Sequence, residues 1–200
     1  MENNIDLNQE ISFETFKKQV LEDYRLIVTS REASLLGRRE VLNGKAKFGI
    51  FGDGKELPQI ALSKVFQKGD YRSGYYRDQT FMMSIKELTV KQLFSGLYAN
   101  TDINEEPMSA GRQMGAHFNT PFLNKDGTWK NLIDLKNSSS DVSCTGSQMP
   151  RLLGLAQASK LYRKLKIKNS SKFSNNGNEI AWGTIGNAST SEGIFFEVLN

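Results

Sequence analysis

A short strand-like run, residues 179–184, opens into a turn of glycine and small polar residues, Ile185-Gly186-Asn187-Ala188-Ser189-Thr190-Ser191-Glu192-Gly193. A helix-like run from Ile194 to Asn200 follows. Strand, glycine turn and helix in that order point to a βα unit and constrain the fold more than any other stretch. The turn offers free backbone N–H groups at the positive end of a helix, which suits a phosphate. Asn187 adds a hard oxygen of the kind Mg2+ accepts beside phosphate oxygens. Any α/β connection uses similar residues, so both a phosphate site and a plain turn stay open on this stretch alone. The sequence stops at Asn200, inside the helix-like run, and so reads as the N-terminal part of something longer.

The rest of the chain alternates in the same way. Residues 1–11 read as a polar tail, and residues 12–200 as one unit. Ser12 caps a helix whose apolar positions Phe13, Phe16, Val20, Tyr24, Ile27 and Val28 recur three and four apart. A second helical stretch, Arg31 to Leu42, stops at Asn43-Gly44. Gly49, Gly52 and Gly54 mark a loop in which backbone approaches something closely. Helical patterns follow over Leu57–Phe66, Ile85–Tyr98 and Ser147–Lys166. In the last of these, Gly154, Ala156 and Ala158 suit packing on a sheet. Asn137–Ser140 reads as a polar turn, and 109–131 as a long irregular segment of the kind that serves function. Together these features predict an α/β fold with a parallel sheet and helices on both faces.

Composition narrows the classes. A net charge of +4 is too small to argue nucleic acid, and hydrophobic content of 38% is ordinary for a globular chain. No apolar run spans a membrane, and the start lacks a signal peptide's basic and apolar regions. The single cysteine, Cys144, leaves no internal disulfide. These points favour the cytoplasm. There is no G-x-S-x-G elbow, no Walker lysine and no G-x-G-x-x-G after a strand, so hydrolase, P-loop and dinucleotide readings lack support.

Three further stretches carry chemical potential. In Tyr75-Tyr76-Arg77-Asp78, a guanidinium grips two phosphate oxygens and a tyrosine hydroxyl adds a donor; a surface ion pair with rim tyrosines is the plainer reading. Ser143-Cys144-Thr145-Gly146-Ser147-Gln148-Met149-Pro150 offers hydroxyls and carbonyls for a polar ring or a monovalent cation, or simply a helix start capped by Ser147. Gly111 to His117 holds the only histidine, in a glycine-flanked loop, where structural and functional roles both stay open.

In this order the stretches resemble the alpha subunit, or alpha half, of thiamine-diphosphate-dependent 2-oxo acid dehydrogenases. That family shows a glycine-rich loop before a helix, a tyrosine-arginine pair, a glycine-basic run ending in histidine, a Q-x-P helix start and a G-D-G-A-x-x-E-G signature. Here they appear as Gly52–Glu56, Tyr76-Arg77-Asp78, Gly111–His117, Gln148-Met149-Pro150 and Gly186–Asn200, covering about residues 20–200. The Gly-Arg-Gln-Met wording resembles branched-chain members; pyruvate- or acetoin-type members are the alternative, as is a non-catalytic module of the same fold.

The resemblance implies a thiamine-diphosphate-binding fold, incomplete at its C-terminus, with thiamine diphosphate, Mg2+ and, in some members, K+. It implies Tyr76 and Arg77 on the diphosphate, Ser143 and Thr145 bordering the aminopyrimidine, and Gly186, Ala188 and Ser189 on the diphosphate turn. Asn187 stands where the family has a carboxylate ligand to Mg2+, and Ala188 where it has a glycine. Ser147 and Gln148 match potassium-binding positions, and His117, near the active-site entrance, is the candidate catalytic residue. The implied partners are a beta subunit or fused beta half and a lipoyl-bearing acyltransferase. The implied reaction is decarboxylation of a 2-oxo acid with transfer of the acyl group to lipoyl.

Overall fold

A computed structural model describes residues 11–165 and 167–200. The tail expected over 1–11 therefore lies outside the described residues except for Ile11, which is exposed. Three short parallel strands form the sheet: β1, Tyr71–Ser73; β2, Asn137–Ser138; and β3, Ala181–Gly183, in the order β2-β1-β3. Tyr71 pairs with Asn137 on one side and Ala181 on the other. Asp70, just before β1, locks that register. Its Oδ1 accepts from Ile180 N at 2.8 Å, and its Oδ2 accepts from Trp182 Nε1 at 2.8 Å and Gln67 N at 2.9 Å.

Strand alternation sends side chains to two faces. On one face, Ser73 donates its hydroxyl to Gln148 O at 2.8 Å, and a Cβ on Gly183 would meet Leu152 at 2.4 Å. Both partners belong to helix α5, Gln148–Lys164. On the other face, Trp182 lies edge-on to Phe66 at 6.3 Å, and Phe66 to Phe81 at 5.2 Å. Helices α1 (Phe13–Leu42), α2 (Glu56–Val65), α3 (Gln79–Ser84) and α4 (Val90–Leu97) belong to this second layer, where Phe81, Met82, Met83, Leu88 and Leu93 form the core. Full burial of each such side chain contributes about 1.5–3 kcal/mol. The expected parallel sheet with helices on both faces is what the chain adopts.

Several local expectations change. The two N-terminal helical stretches are one helix, α1, capped by the Ser12 hydroxyl on Thr15 N. Its expected apolar face is largely open, with Phe13 72%, Phe16 51% and Tyr24 62% exposed, and burial falls instead on Ser30, Ala33, Ser34 and Gly37. Ser30 and Ser34 lie where α3 crosses closely, with Gln79 Nε2 donating to Ser30 O and Ser34 Oγ, and a Cβ on Gly37 would meet the Phe51 ring at 2.3 Å. The helix expected over Ile85–Tyr98 begins only at Val90. Lys86 has a left-handed φ of 67°, and Thr89 restarts the chain with a capping box to Gln92. Asn137–Ser140, expected as a turn, supplies β2. In α5, the sheet meets Leu152, whereas Gly154 and Ala156 are exposed. The helix ends at Lys164, and Lys166 lies outside the described residues.

Asp70→Asn points an amide donor at donors it now satisfies. We expect it to lower stability by about 1–3 kcal/mol, read as a lower denaturant midpoint of the complete protein. An unchanged midpoint would remove Asp70 from the register argument.

Candidate functional site

Parallel sheets place ligands beyond the carboxyl ends of their strands. Here β1 leads into Gly74–Asp78, β3 into Thr184–Asn187, and β2 into Ser139–Ser143. The first two meet directly. A Cβ on Gly186 would stand 3.0 Å from the Tyr75 hydroxyl, so only a glycine lets the tyrosine reach the turn without displacement. Burial and the neighbouring Tyr76 hydroxyl push the Tyr75 phenol above its ordinary pKa, keeping it a proton donor. Arg77 folds back with its guanidinium carbon 5.8 Å from the Tyr75 ring centre and 5.9 Å from that of Tyr76. Its Nε is buried and has no hydrogen-bond partner among the described residues. A buried donor without a partner is rare in a folded chain and calls for an explanation.

The loop before α2 supports this arginine from below. A Cβ on Gly52 would lie 2.2 Å from Arg77 O, and Gln59 Nε2 donates to the same carbonyl at 2.9 Å. The glycine expected to permit a close backbone approach does so here, against the site.

His117 is buried and stacks on Tyr76 at 5.9 Å and 18°. Its Nε2 lies 2.8 Å from Ser143 Oγ, and its Nδ1 lies 3.4 Å from Gly115 O. A proton on Nδ1 satisfies both, with Nε2 accepting from the serine hydroxyl. The structure thus brings together Tyr76, Arg77, His117, Ser143 and, through Tyr75, Gly186. Thr145 is exposed. Ser189 is buried beneath the turn and donates its N–H to Gly186 O at 2.9 Å. Ala188 is not among the residues with positive φ, so alanine in place of the family's glycine brings no backbone strain. Asn187 is exposed, and among the described residues its side-chain amide takes no hydrogen bond. The Ser147 hydroxyl does not cap α5, contrary to one reading of the sequence. Gln148 donates Nε2 to Thr184 O at 3.0 Å and so ties α5 to the end of β3.

Beneath the site lies a charge cluster that the sequence did not reveal. Arg72, on β1, is 1% exposed between two buried carboxylates. It donates Nη2 to Asp78 Oδ2 at 2.8 Å, and its Nη1 stands 3.0 Å from Asp141 Oδ1. Burial pushes the Asp141 carboxyl above its ordinary pKa, with Arg72 opposing that shift. The sequence singles out Asp78 as a surface partner of Arg77, but it is buried and pairs with Arg72 instead; Asp141 carries no signal.

The irregular loop before His117 is organised by Glu106. Its carboxylate accepts from Met108 N, Ser109 N, Ser109 Oγ and Gly111 N at 2.7–3.0 Å. Burial acts to raise its pKa, but these bonds prevail and hold it below the usual glutamate value. A lowered folded-state pKa stabilises the loop above the unfolded value of about 4.3, and that contribution is lost as pH falls through the folded value. Amide-exchange protection at Met108, Ser109 and Gly111 should therefore fall below about pH 4.3. Glu106→Gln should remove that pH dependence and cost about 1–3 kcal/mol. Protection that stays constant through this range would contradict the assignment.

No helix among the described residues is long and apolar enough to cross a membrane. No curated protein matches the chain. The sequence profile of the dehydrogenase E1 component family matches residues 25–200, which include every element of the site above. The chain therefore belongs to the dehydrogenase E1 component family, the thiamine-diphosphate-dependent 2-oxo acid dehydrogenases, as an alpha-type region.

Proposed function

We propose that this chain forms the diphosphate side of an enzyme that oxidatively decarboxylates a branched-chain 2-oxo acid and passes the acyl group to a lipoyl group. The observation that supports this reading best is the buried Nε of Arg77, without a hydrogen-bond partner among the described residues, on a guanidinium close to the rings of Tyr75 and Tyr76, of which Tyr75 reaches Gly186. A dianionic phosphate supplies the acceptor that this donor lacks. Tyr76 and Arg77 would hold the diphosphate, with Gly186, Ala188 and Ser189 supplying the turn beneath it. Thiamine diphosphate, when bound, supplies an electron sink for decarboxylation.

The donor set also fits a hard divalent ion. The free amide oxygen of Asn187 would contribute one ligand to Mg2+ beside phosphate oxygens. Its lack of full charge argues for weaker metal binding than a carboxylate gives. Ser147 and Gln148 are the candidates for K+, the former with its hydroxyl free of the helix cap. His117 and Ser143, hydrogen-bonded on the Tyr76 side, would border the reacting end of the cofactor, with Thr145 nearby in sequence. The exposed α5 surface of Leu153, Gly154, Ala156 and Leu161 favours a beta subunit or beta half as partner. The lipoyl-bearing acyltransferase and a cytoplasmic setting complete the reading.

Calorimetry on the complete protein with its beta component tests it. Thiamine diphosphate should bind in the presence of Mg2+, and Arg77→Ala should weaken binding by about 10–100-fold, the loss of charge-assisted hydrogen bonds. Turnover of branched-chain 2-oxo acids against pyruvate then decides the substrate. No binding by the unsubstituted protein would favour a non-catalytic module of the same fold.

A further inference from the structure

The cradle has two walls that come from distant parts of the chain. Tyr75–Arg77 follow β1, and Ile185–Gly186 follow β3. Their spacing decides whether a ligand is gripped from both sides at once. At the rim, the Tyr75 hydroxyl approaches Gly186. At the base, they are joined by a closed set of hydrogen bonds. Asp78 Oδ2 accepts from Tyr75 N at 3.1 Å and from the Thr184 hydroxyl. Tyr75 N also lies 3.1 Å from Thr184 Oγ1, so backbone amide, carboxylate and hydroxyl form a triangle. Arg72 fixes the carboxylate from behind through Nε at 3.1 Å and Nη2 at 2.8 Å.

We propose that Thr184 and Asp78 are positioning residues: through this triangle they set the distance between the two walls of the anion cradle. The proposal rests on the cofactor reading above. The hydroxyl of Thr184 is the specific element. Among the described residues it is the side chain of the β3 wall that bonds to both the carboxylate and the amide of the opposite wall. Valine has nearly the same shape, so packing alone would be met equally well by either residue. Only the hydroxyl can both donate to Asp78 and accept from Tyr75 N. Asp78 itself is 2% exposed and shared with Arg72, so its replacement endangers folding. Thr184 is half-buried, which makes it the cleaner probe.

The test compares Thr184→Val and Thr184→Ser with the unsubstituted complete protein. Binding of thiamine diphosphate and of inorganic diphosphate, each with Mg2+, is measured by calorimetry, and Tm is measured in the absence of either. Thr184→Val should weaken both ligands by about 10-fold, the scale of one hydrogen bond to a charged group. Thr184→Ser, which keeps the hydroxyl, should return affinity to within about twofold. Loss of inorganic diphosphate affinity in parallel with the full cofactor places the defect at the anion cradle. Equal affinity for valine and threonine variants overturns the proposal, as does a serine variant as weak as the valine one. A valine variant whose weaker binding disappears once compared below its own Tm also overturns it, since the effect is then stability alone. Failure of the unsubstituted protein to bind either ligand is a separate result: it removes the cofactor reading first, and this proposal with it.

Discussion

The structure turns on a guanidinium held between two carboxylates. Arg72 occupies the middle of the central strand, fully buried, with Asp78 on one side and Asp141 on the other. Taking three charges out of water costs several kcal/mol per ion, so the cluster is poor evidence for stability. Its effect is on geometry. Asp78 reaches Tyr75 and Thr184, at the ends of β1 and β3, while Asp141 accepts from Phe118 N at 3.0 Å, beside His117. Arg72 Nη1 also donates to Ser138 on β2 at 2.6 Å. Loops leaving all three strands are thus referred to one cation. Burial raises the Asp141 carboxyl above its ordinary pKa, and the facing Arg72 guanidinium opposes that shift.

The same economy appears where backbone pairing is missing. The strands are only two or three residues long, so the ladder alone orders little chain. Buried carboxylates take over as acceptors for backbone N–H groups. Asp70 holds the entry to the sheet, Glu106 the loop before His117, and Asp78 and Asp141 the exits. Each satisfies amides that no strand or helix accepts, which is the accounting a buried irregular segment demands. The site is therefore irregular in path but defined in position.

What the sequence made legible was chemistry with a local signature. The Ser12 cap, the glycine approach at Gly52, the βα turn at Gly186 and the α/β class all follow from residue type and short spacing. The joining of Tyr76, Arg77, His117 and Ser143 follows from order along the chain and the resemblance that order carried. What stayed hidden depends on partners far apart. Arg72 meets Asp141 across 69 positions, and Asp78 meets Thr184 across 106. No periodicity encodes such pairs. Periodicity also misled at α1, where the apolar positions Phe13, Phe16 and Tyr24 form a face that the described chain does not cover. A regular stripe reports that a helix has an apolar face, not what lies against it. At Ile85–Tyr98 a single apolar pattern ran across a non-helical stretch before α4, because the break at Lys86 is made by backbone conformation in a residue type that gives no warning of it.

The two departures from the family's turn have different physical weight. Alanine at 188 would be a fault only if the backbone there were left-handed, and it is not, so the substitution brings no backbone strain. Asparagine at 187 keeps an oxygen in place but withdraws a full charge from it, and charge is what a hard divalent cation senses most strongly. On the reading proposed above, the anion side of the site would rest on Arg77, Tyr75 and the backbone of the turn, none of which depends on the asparagine side chain. Grip on the phosphates and grip on the metal would then be separable in this chain. A charge withdrawn at Asn187 would weaken the metal directly and the diphosphate only through the metal they share.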